Sequence, residues 1–406
     1  MRRTTVRLHI ANAMLAPSLR RRRDHAAVFD RMFRAARDAG EPVVLSDEDT
    51  AAFDDLRVLL GCFAELDGLS GIGWAGAKDL VKARIENRFQ VRRLQAAHPA
   101  IEAEPIERPI FVVGLPRTAT TLTHRILARA TGCRGPKLWE MYNLGTAADE
   151  ATRSEWIRAT QKRIDQVLDV SPDWDVIHPV AADAEEEDYF LKDHSAMHCA
   201  AAPMWDYLEF LRTHDFRADY RFLKEALQVL SYGRRPARWV LKHPGNLFSI
   251  EAIGQVFPDA QIVWTHRAPD TVMGSMCSMA ESLHRLYLKP GRVDLDEIGR
   301  MWLQLLADGV ADARRQRTRM DRGAIRDVGY HWLMSDPQTF VPELFAQLDL
   351  EWTVADKDRL EAALARPVDQ RRHEYTLARY GLDHDAVERA FGDYFDFVTG
   401  LNQRRR

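Results

Sequence analysis

The pattern of apolar and polar residues changes character near residue 105. Before it, apolar residues recur every three or four positions, a spacing typical of amphipathic helices. This spacing is shown by Val28, Phe29, Met32, Phe33 and Ala36, by Phe53, Leu56, Leu59, Leu60 and Phe63, and by Val81, Ile85 and Phe89. Ser46, with Asp49 three residues later, is the predicted cap of the second helix. We therefore predict that residues 1–104 form a helical region that acts as scaffold or substrate entrance.

After residue 105, short apolar runs alternate with helical patterns. Residues 109–114 form an apolar run with β-branched side chains, which predicts a buried parallel strand. A helix over about 120–130 is expected to follow and to end at Gly132. Further strands are predicted at 238–241, 261–265 and 325–330, and a helix at 246–257. This alternation predicts an α/β fold, a parallel sheet flanked by helices.

The segment 150–235 is predicted to be a mostly helical insertion in a second domain, 105–406. It is expected to cap the carboxyl edge of the sheet, where ligands bind in such folds. Its aromatic residues include Trp174, Tyr189, Phe190, Trp205, Tyr207 and Phe210. They indicate either an apolar or phenolic small-molecule ligand or an ordinary core.

Composition narrows the function classes. Among 406 residues, 29% are charged, yet the net charge is only −3. This balance argues against a protein that binds nucleic acid or membranes over its whole surface. The basic clusters 20–23 and 404–406 are interpreted as solubilising ends. No uncharged run approaches the roughly 18–20 residues that a bilayer span needs, so no membrane span is predicted.

The cysteines Cys62, Cys133, Cys199 and Cys277 are far apart in the sequence and form no CxxC pair. A disulfide framework or zinc site is therefore not expected, and a reducing compartment fits best. The apolar stretch near residues 10–15 is short and is followed by four arginines. This pattern indicates a mature N-terminus rather than a signal peptide. We therefore expect a cytoplasmic protein.

A candidate phosphate-binding loop follows the first predicted strand. Residues 114–121 read Gly-Leu-Pro-Arg-Thr-Ala-Thr-Thr, between a strand and a helix. Backbone N–H groups at a helix start, together with the helix dipole, favour a bound anion. Thr118, Thr120 and Thr121 add hydroxyl donors, and Arg117 adds a guanidinium suited to phosphate or sulfate. The alternative is a plain turn whose threonines cap the helix.

The loop differs from that of nucleotide triphosphatases. The pattern GxxxxGK[ST] would place Gly and Lys where this chain has Ala119 and Thr120. Without that lysine, no cation reaches the β- and γ-phosphates, so ATP or GTP hydrolysis is disfavoured. A second basic position, Arg267, follows the strand at 261–265, and Ser275 comes eight residues later. Both are placed to converge on one phosphate.

These motifs resemble those of the sulfotransferase superfamily, most closely a bacterial branch whose loop reads G-x-P-R-[ST]-G-T-T. The resemblance implies a P-loop-like sulfotransferase fold and 3′-phosphoadenosine 5′-phosphosulfate (PAPS) as co-substrate, with no metal required. It implies that Arg117, Thr118, Ala119, Thr120 and Thr121 bind the 5′-phosphosulfate. Ala119 departs from the family's glycine, and its methyl group is expected to narrow the loop.

The resemblance extends over roughly residues 105–400. It implies that Arg267 and Ser275 hold the 3′-phosphate. Lys242 matches the end of a Lys-x-Pro strand of the family, and residues 327–330 and 336–337 match its final strand and following helix. Arg371 and Arg372 belong to a segment similar to the family's C-terminal tail, which implies contact with the cofactor.

Sulfuryl transfer needs cations near the leaving phosphate and a base for the acceptor. Lys242 and Arg117 are the candidate cations. The acidic run offers Glu186, Glu187 and Asp188 as candidate bases. His243 and His266 are rival bases, since either titrates near neutral pH. His194 and His198 have the i,i+4 spacing of metal ligands, but no third ligand or HExxH pattern accompanies them, so no metal site is predicted.

Two other functions remain open on sequence alone. A nucleotide or small-molecule kinase would share the strand–loop–helix unit. The missing lysine at position 120, and the absence of a strand-end aspartate at position 266 to organise Mg²⁺, argue against it. A non-catalytic nucleotide-binding protein on the same fold is the other alternative, because a fold does not fix a function. The acceptor of a sulfotransferase is predicted only as a hydroxyl or an amine.

Overall fold

The computed structural model describes residues 5–321, 323–364 and 376–403. Within them the strands are β1 Ile110–Gly114, β2 Cys133–Arg134, β3 Arg238–Lys242, β4 Gln261–His266 and β5 Ile325–Gly329. They form one sheet in the order β2-β3-β1-β4-β5, and every pair is parallel. The predicted α/β fold with a parallel sheet is therefore confirmed. Because β1 lies between β3 and β4, the loops that follow these three strands meet at one edge of the sheet.

Helices surround the sheet and form the N-terminal part of the chain. The α-helices are α1 Val6–Leu15, α2 His25–Asp38, α3 Asp47–Glu65, α4 Gly71–Ala97, α5 Thr120–Ala128, α6 Leu138–Tyr142, α7 Glu150–Val170, α8 Trp174–Ile177, α9 Trp205–Leu211, α10 Phe216–Ser231, α11 Ile250–Val256, α12 Pro269–Tyr287, α13 Leu295–Arg317, α14 Tyr330–Ser335, α15 Pro337–Gln347, α16 Val354–Leu364, α17 His384–Phe391 and α18 Asp393–Gln403. Short 3₁₀ turns cover Ala16–Asp24, Pro99–Ala103, Asp188–Leu191, Ala196–Ala200, Pro244–Ser249 and Leu377–Tyr380. Of the helices in the described part of the chain, none has the length and apolar character to cross a bilayer.

The four predicted strands are present, with ends shifted by one residue at most. Strand β2 was not predicted, because two residues are too short to show an alternating pattern. The helix predicted over 246–257 is divided. A 3₁₀ turn begins at Pro244, and α11 begins only at Ile250. The predicted cap of α3 is a full capping box, in which Ser46 and Asp49 exchange side-chain and backbone hydrogen bonds.

Two cores lie on opposite faces of the sheet, as the alternation of side chains along β1 requires. Phe111 packs in the core that also contains Phe63 and Trp74 of the N-terminal helices. Val112 packs in the other core, against residues such as Phe345 of α15. The N-terminal helices therefore share a hydrophobic core with the sheet.

A buried ion cluster joins the N-terminal helices to the segment between α8 and α9. We call this segment the covering segment. Arg88 of α4 lies 3.2 Å from a carboxylate oxygen of Asp49 and 2.6 Å from one of Asp193. All three side chains are at most 2% exposed. Arg92 makes a second contact with Asp49 at 2.7 Å. The segment around residue 193 is thus held to α3 and α4 by charge as well as by packing.

Removing Arg88 should destabilise the protein. The change Arg88→Met leaves the buried carboxylate of Asp193 without its guanidinium partner, and losing one partner of a buried ion pair typically costs about 3–5 kcal/mol. We expect a loss of that size in the free energy of unfolding, measured by urea denaturation. Arg37→Met removes an exposed pair with Asp38 and is the control, with an unchanged midpoint. Equal midpoints for the two variants would contradict the stabilising role of Arg88.

Candidate active site

The loop between β1 and α5 begins with a glycine that no other residue can replace without strain. Gly114 has φ +151°, and a Cβ there would lie 2.3 Å from Oγ1 of Thr265 and 2.7 Å from its carbonyl oxygen. Both distances are below any normal van der Waals contact. Strand β4 therefore presses directly against the start of the loop.

Thr118 fastens the loop to the sheet. Its hydroxyl lies 2.7 Å from the carbonyl oxygen of Leu115 and 2.6 Å from Oγ1 of Thr265. The side chain is fully buried. The structure thus places this predicted anion-binding hydroxyl toward the protein interior, so the hydroxyl stabilises the shape of the loop.

The loop turns through two left-handed residues, Arg117 at φ 68° and Ala119 at φ 72°. Glycine adopts this conformation with the least strain, which explains why Ala119 is an unusual choice. Ala119 precedes α5 and makes no side-chain cap hydrogen bond. The first N–H groups of a helix lack intrahelical partners, so this end of α5 can donate to an anion. Thr120 is buried at this end and Thr121 is half-buried.

Arg267 connects the second motif to the loop. It follows β4, and its Nη1 donates to the carbonyl oxygen of Arg117 at 3.0 Å. Its guanidinium also lies 3.9 Å from the ring centre of Tyr330. Ser275 lies farther along α12 and is 6% exposed. The structure therefore brings Arg267 to the loop, as the parallel topology predicts.

Glu187 is the centre of the polar cluster beside the loop. One carboxylate oxygen lies 2.7 Å from Nζ of Lys242, and the other lies 3.0 Å from Nδ1 of His243. Nε2 of His243 lies 2.7 Å from Oγ of Ser195. Lys242 and His243 are 1% exposed, whereas the side chain of Glu187 is 18% exposed. Of these three groups, Glu187 is therefore the most accessible to a ligand.

Burial and neighbouring charges shift the pKa values of this cluster in opposite directions. Burial alone would raise the pKa of Glu187, but the Lys242 ammonium and the His243 hydrogen bond hold it well below its usual range. Burial lowers the pKa of His243, and the hydrogen bond to Glu187 only partly opposes this. At neutral pH the cluster therefore contains an ionised Glu187 and a neutral His243.

Glu186 contacts both His178 and Lys242. Its Oε1 lies 3.3 Å from Nε2 of His178 and 4.0 Å from Nζ of Lys242. The residue before His178, Ile177, accepts a hydrogen bond of 3.4 Å from Arg117 at its carbonyl oxygen. Arg117 is exposed apart from this contact, so its guanidinium borders the same space as the acidic run.

The third acidic candidate faces away from this space. Asp188 is fully buried, accepts a hydrogen bond of 2.8 Å from Asn246 and lies 3.3 Å from Nζ of Lys192. Lys192 and Tyr220 both donate to the Asn246 side-chain oxygen. Asp188 therefore belongs to a buried polar network that supports the site from behind.

The remaining candidates have other partners. His266 lies 3.0 Å from Tyr394 through one ring nitrogen and 3.0 Å from Asp327 through the other. His194 and His198 do not face a common point as a metal pair would: Nδ1 of His198 lies 2.6 Å from the Tyr189 hydroxyl, and its Nε2 lies 3.0 Å from a backbone carbonyl. Arg371 and Arg372 lie outside the described residues.

Sequence reasoning missed three residues that shape the site. Thr265 holds the loop, Ser195 contacts His243, and His178 contacts Glu186. Thr265 at the end of a predicted strand was a usable signal, because such positions face the ligand edge of a parallel sheet. His178 and Ser195 lie in irregular segments, where no periodicity indicates which way a side chain points.

Comparisons with known proteins identify the family of the chain. At the level of sequence, the chain is 24% identical over 292 residues to the omega-hydroxy-beta-dihydromenaquinone-9 sulfotransferase Stf3 of Mycobacterium tuberculosis, covering 66% of this chain and 70% of the relative. The same figures hold for Stf3 of Mycobacterium bovis.

Solved structures show the same fold over nearly the whole chain. Sulfotransferase STF9 from Mycobacterium avium superposes with a TM-score of 0.80 and 27% identity, covering 91% of this chain and 96% of that one. Sulfotransferase STF1 from Mycobacterium tuberculosis H37Rv gives 0.78 and 26%, covering 89% and 98%. The sequence profile described as the sulfotransferase family matches residues 109–354, more than half of the chain. The chain therefore belongs to the sulfotransferase family and carries out sulfuryl transfer.

Proposed function

We propose that this sulfotransferase takes its sulfuryl group from PAPS and transfers it to a hydroxyl group of a lipophilic small molecule. The observation that carries the proposal is the meeting of two elements at one sheet edge. One is the open N-terminus of α5 with Arg117, and the other is the Lys242–Glu187–His243 cluster at the end of β3. An anion donor and a base for an acceptor can thus lie side by side.

The loop and Arg267 suit the two ends of the donor nucleotide. Helix N–H groups and Arg117 are proposed to hold the 5′-phosphosulfate. Arg267 reaches the loop from the neighbouring strand and is proposed, with Ser275, to hold the 3′-phosphate. The contact between Arg267 and the Arg117 carbonyl supports this arrangement, because it places both motifs within the length of one nucleotide.

Lys242 is proposed to neutralise the leaving phosphate. Transferring SO₃ breaks the S–O bond to the 5′-phosphate and forms an S–O bond to the acceptor, while the acceptor loses a proton. Negative charge then grows on the leaving oxygen, and a cation in a buried site stabilises that charge more than water does. Lys242 is buried at the end of β3. It pairs in register with Val112 of β1, the strand that leads into the loop.

Glu187 is proposed to accept the acceptor's proton, with His243 as a positioning residue. Glu187 keeps the more exposed side chain, whereas both ring nitrogens of His243 are occupied. In the resting site the Lys242 ammonium weakens this base. When Lys242 turns to the donor phosphate, the strongest influence that lowers the pKa of Glu187 is reduced, so donor binding strengthens the base.

An acceptor with a lipophilic body is supported by two observations. The relatives named Stf3 act, by name, on an omega-hydroxylated dihydromenaquinone. In this chain, aromatic rings lie next to the cluster. Tyr189 is 5.2 Å from His243 between ring centres and 5.4 Å from Phe190, and Trp174 is 5.8 Å from His178. Tyr207, by contrast, is fully buried and belongs to the core.

The donor choice is tested by nucleotide binding. Adenosine 3′,5′-bisphosphate should bind without Mg²⁺ and more tightly than ATP, measured by calorimetry. Arg267→Ala should weaken this binding on the order of tenfold to a hundredfold, because a charged hydrogen bond contributes about 1.5–3 kcal/mol. Binding of adenosine 5′-phosphosulfate, which lacks the 3′-phosphate, should barely change. Equal affinity for ATP, or a strict need for Mg²⁺, would instead support a kinase.

Transfer from labelled PAPS to a panel of lipophilic alcohols, phenols and amines then tests the acceptor class.

The loop geometry is tested at Gly114. Gly114→Ala introduces a methyl group 2.3 Å from the Thr265 hydroxyl, so the loop must shift and its N–H groups lose their alignment. We expect a large loss of affinity for adenosine 3′,5′-bisphosphate with the fold retained by circular dichroism. Gly400→Ala in α18 is the matched control, because a Cβ there meets open space. Wild-type affinity in Gly114→Ala would show that the loop does not hold the nucleotide.

The base is tested by paired substitutions in the acidic run. Glu187→Gln should lower kcat on the order of 10²–10⁴-fold, as loss of a general base does, without weakening adenosine 3′,5′-bisphosphate binding. Glu185→Gln is the control, because Glu185 pairs with Arg129 at 3.0 Å and not with Lys242. If Glu187→Gln keeps full activity while His243→Gln loses it, the base is His243.

A further inference from the structure

A second polar cluster lies where α3 and the start of α10 meet the covering segment, apart from the site described above. It contains Asp55 of α3, His194, and His214 just before α10. One ligand atom from each of these residues lies within 4.8 Å of the other two. His194 and His214 are largely buried, while the side chain of Asp55 is 32% exposed. The cluster is therefore enclosed on the protein side and reachable from solvent past Asp55.

One buried nitrogen of this cluster lacks a hydrogen-bond partner. Nε2 of His194 is buried, and no hydrogen-bond partner reaches it within the described parts of the chain. The other ring nitrogen, Nδ1, lies 3.0 Å from the hydroxyl of Tyr207. If Nδ1 carries the proton and donates it to Tyr207, Nε2 presents a lone pair toward the cluster. A neutral imidazole with a lone pair directed in this way is the form that binds a metal.

The partners of His214 have the arrangement of a histidine metal ligand with its supporting carboxylate. Nε2 of His214 lies 2.6 Å from Oδ2 of Asp219, and Nδ1 lies 3.2 Å from a carboxylate oxygen of Asp55. Metal-bound histidines commonly donate their second N–H to a carboxylate in this way. Two ligands at about 2.0–2.1 Å from a tetrahedral zinc ion lie roughly 3.3 Å apart, close to the Asp55–His214 separation.

Asp219 also orients the second histidine. Its Oδ1 accepts a hydrogen bond of 2.8 Å from the backbone N–H of His194. Asp219 is 2% exposed, so one fixed carboxylate positions both histidine ligands. Such support from outside the ligand set is what distinguishes a metal site from a chance group of polar residues.

We propose that Asp55, His194 and His214 bind a divalent transition metal, with Zn²⁺ as the best match, and that water completes the coordination. Two imidazoles and a carboxylate are donors that Zn²⁺ accepts. Asp219 remains the supporting carboxylate of His214 at 2.6 Å, which keeps the ring oriented toward Asp55.

The metal would have a structural role. It would join α3 to the segment just before Ser195, whose hydroxyl lies 2.7 Å from His243. The ion cluster of Arg88 with Asp49 and Asp193 already holds this segment from the adjacent side. A metal at His194 would fix the same turn from two directions and thereby hold Ser195 against His243.

The test uses the full-length protein after treatment with a chelator. Zn²⁺ should bind with one ion per chain by elemental analysis and should raise the Tm. Co²⁺ should give visible absorption bands of four-coordinate intensity. His194→Gln and Asp55→Asn should each weaken Zn²⁺ binding at least on the order of tenfold and abolish the Tm increase. Asp55→Asn alters a partly exposed side chain, so it remains informative if His194→Gln fails to fold.

Two control variants locate the ion. His331→Gln removes an exposed histidine of α14 and should bind Zn²⁺ like the wild type. His178→Gln alters the other group with ligand atoms within 4.8 Å, His178, Glu186 and Glu187, and should also bind like the wild type. Loss of binding in His178→Gln alone, or unchanged binding in both His194→Gln and Asp55→Asn, overturns the proposal, as does absence of stoichiometric binding.

Discussion

The site depends on one carboxylate, that of Glu187, which contacts the Lys242 ammonium and the His243 ring at the same time. A buried carboxylate is stable only with such partners, because removing it from water costs several kcal/mol. Much of the segment between α8 and α9 has irregular backbone, so few regular backbone hydrogen bonds anchor it to the sheet. The contacts of Glu187 with the end of β3 supply that anchor, and the Arg88 cluster supplies a second one farther along. The electrostatic interactions that position Glu187, the proposed base, therefore also hold the covering segment.

In the loop between β1 and α5, some groups fix the shape of the loop and others are exposed. Gly114, Thr118 and Thr265 face one another across β1 and β4 at distances that leave no spare volume. The Thr118 hydroxyl, which the sequence alone suggested as an anion ligand, is hydrogen-bonded within these contacts instead. Arg117 is exposed, and the first N–H groups of α5 lack intrahelical partners. Ala119 is accommodated in a left-handed conformation, so its methyl group costs some strain, and the turn itself is retained.

Strands β1, β3 and β4 could be predicted from sequence because each contains at least three consecutive apolar residues. The capping box at Ser46 and Asp49 was predictable for a similar reason, since both partners lie within one turn. Which acid contacts Lys242 and His243 was not predictable, because four consecutive acidic residues have different partners. These partners are Arg129 for Glu185, His178 for Glu186, Lys242 for Glu187 and Asn246 for Asp188. The direction of each side chain depends on local turns and distant residues, and hydrophobic periodicity contains no information on either.

The pairing of Lys242 with Glu187 has a consequence for the order of events in the proposed reaction. A carboxylate whose pKa is held far below its usual range is a poor base. With the donor absent, Glu187 is therefore a weak base, and the Lys242 ammonium is already paired with it. A donor phosphate competes with Glu187 for the Lys242 ammonium, and as the lysine moves toward the phosphate the carboxylate regains basicity. The cation that stabilises the leaving group is then the same group that releases the base. Proton abstraction is thereby tied to the presence of the donor, without any large movement of the protein.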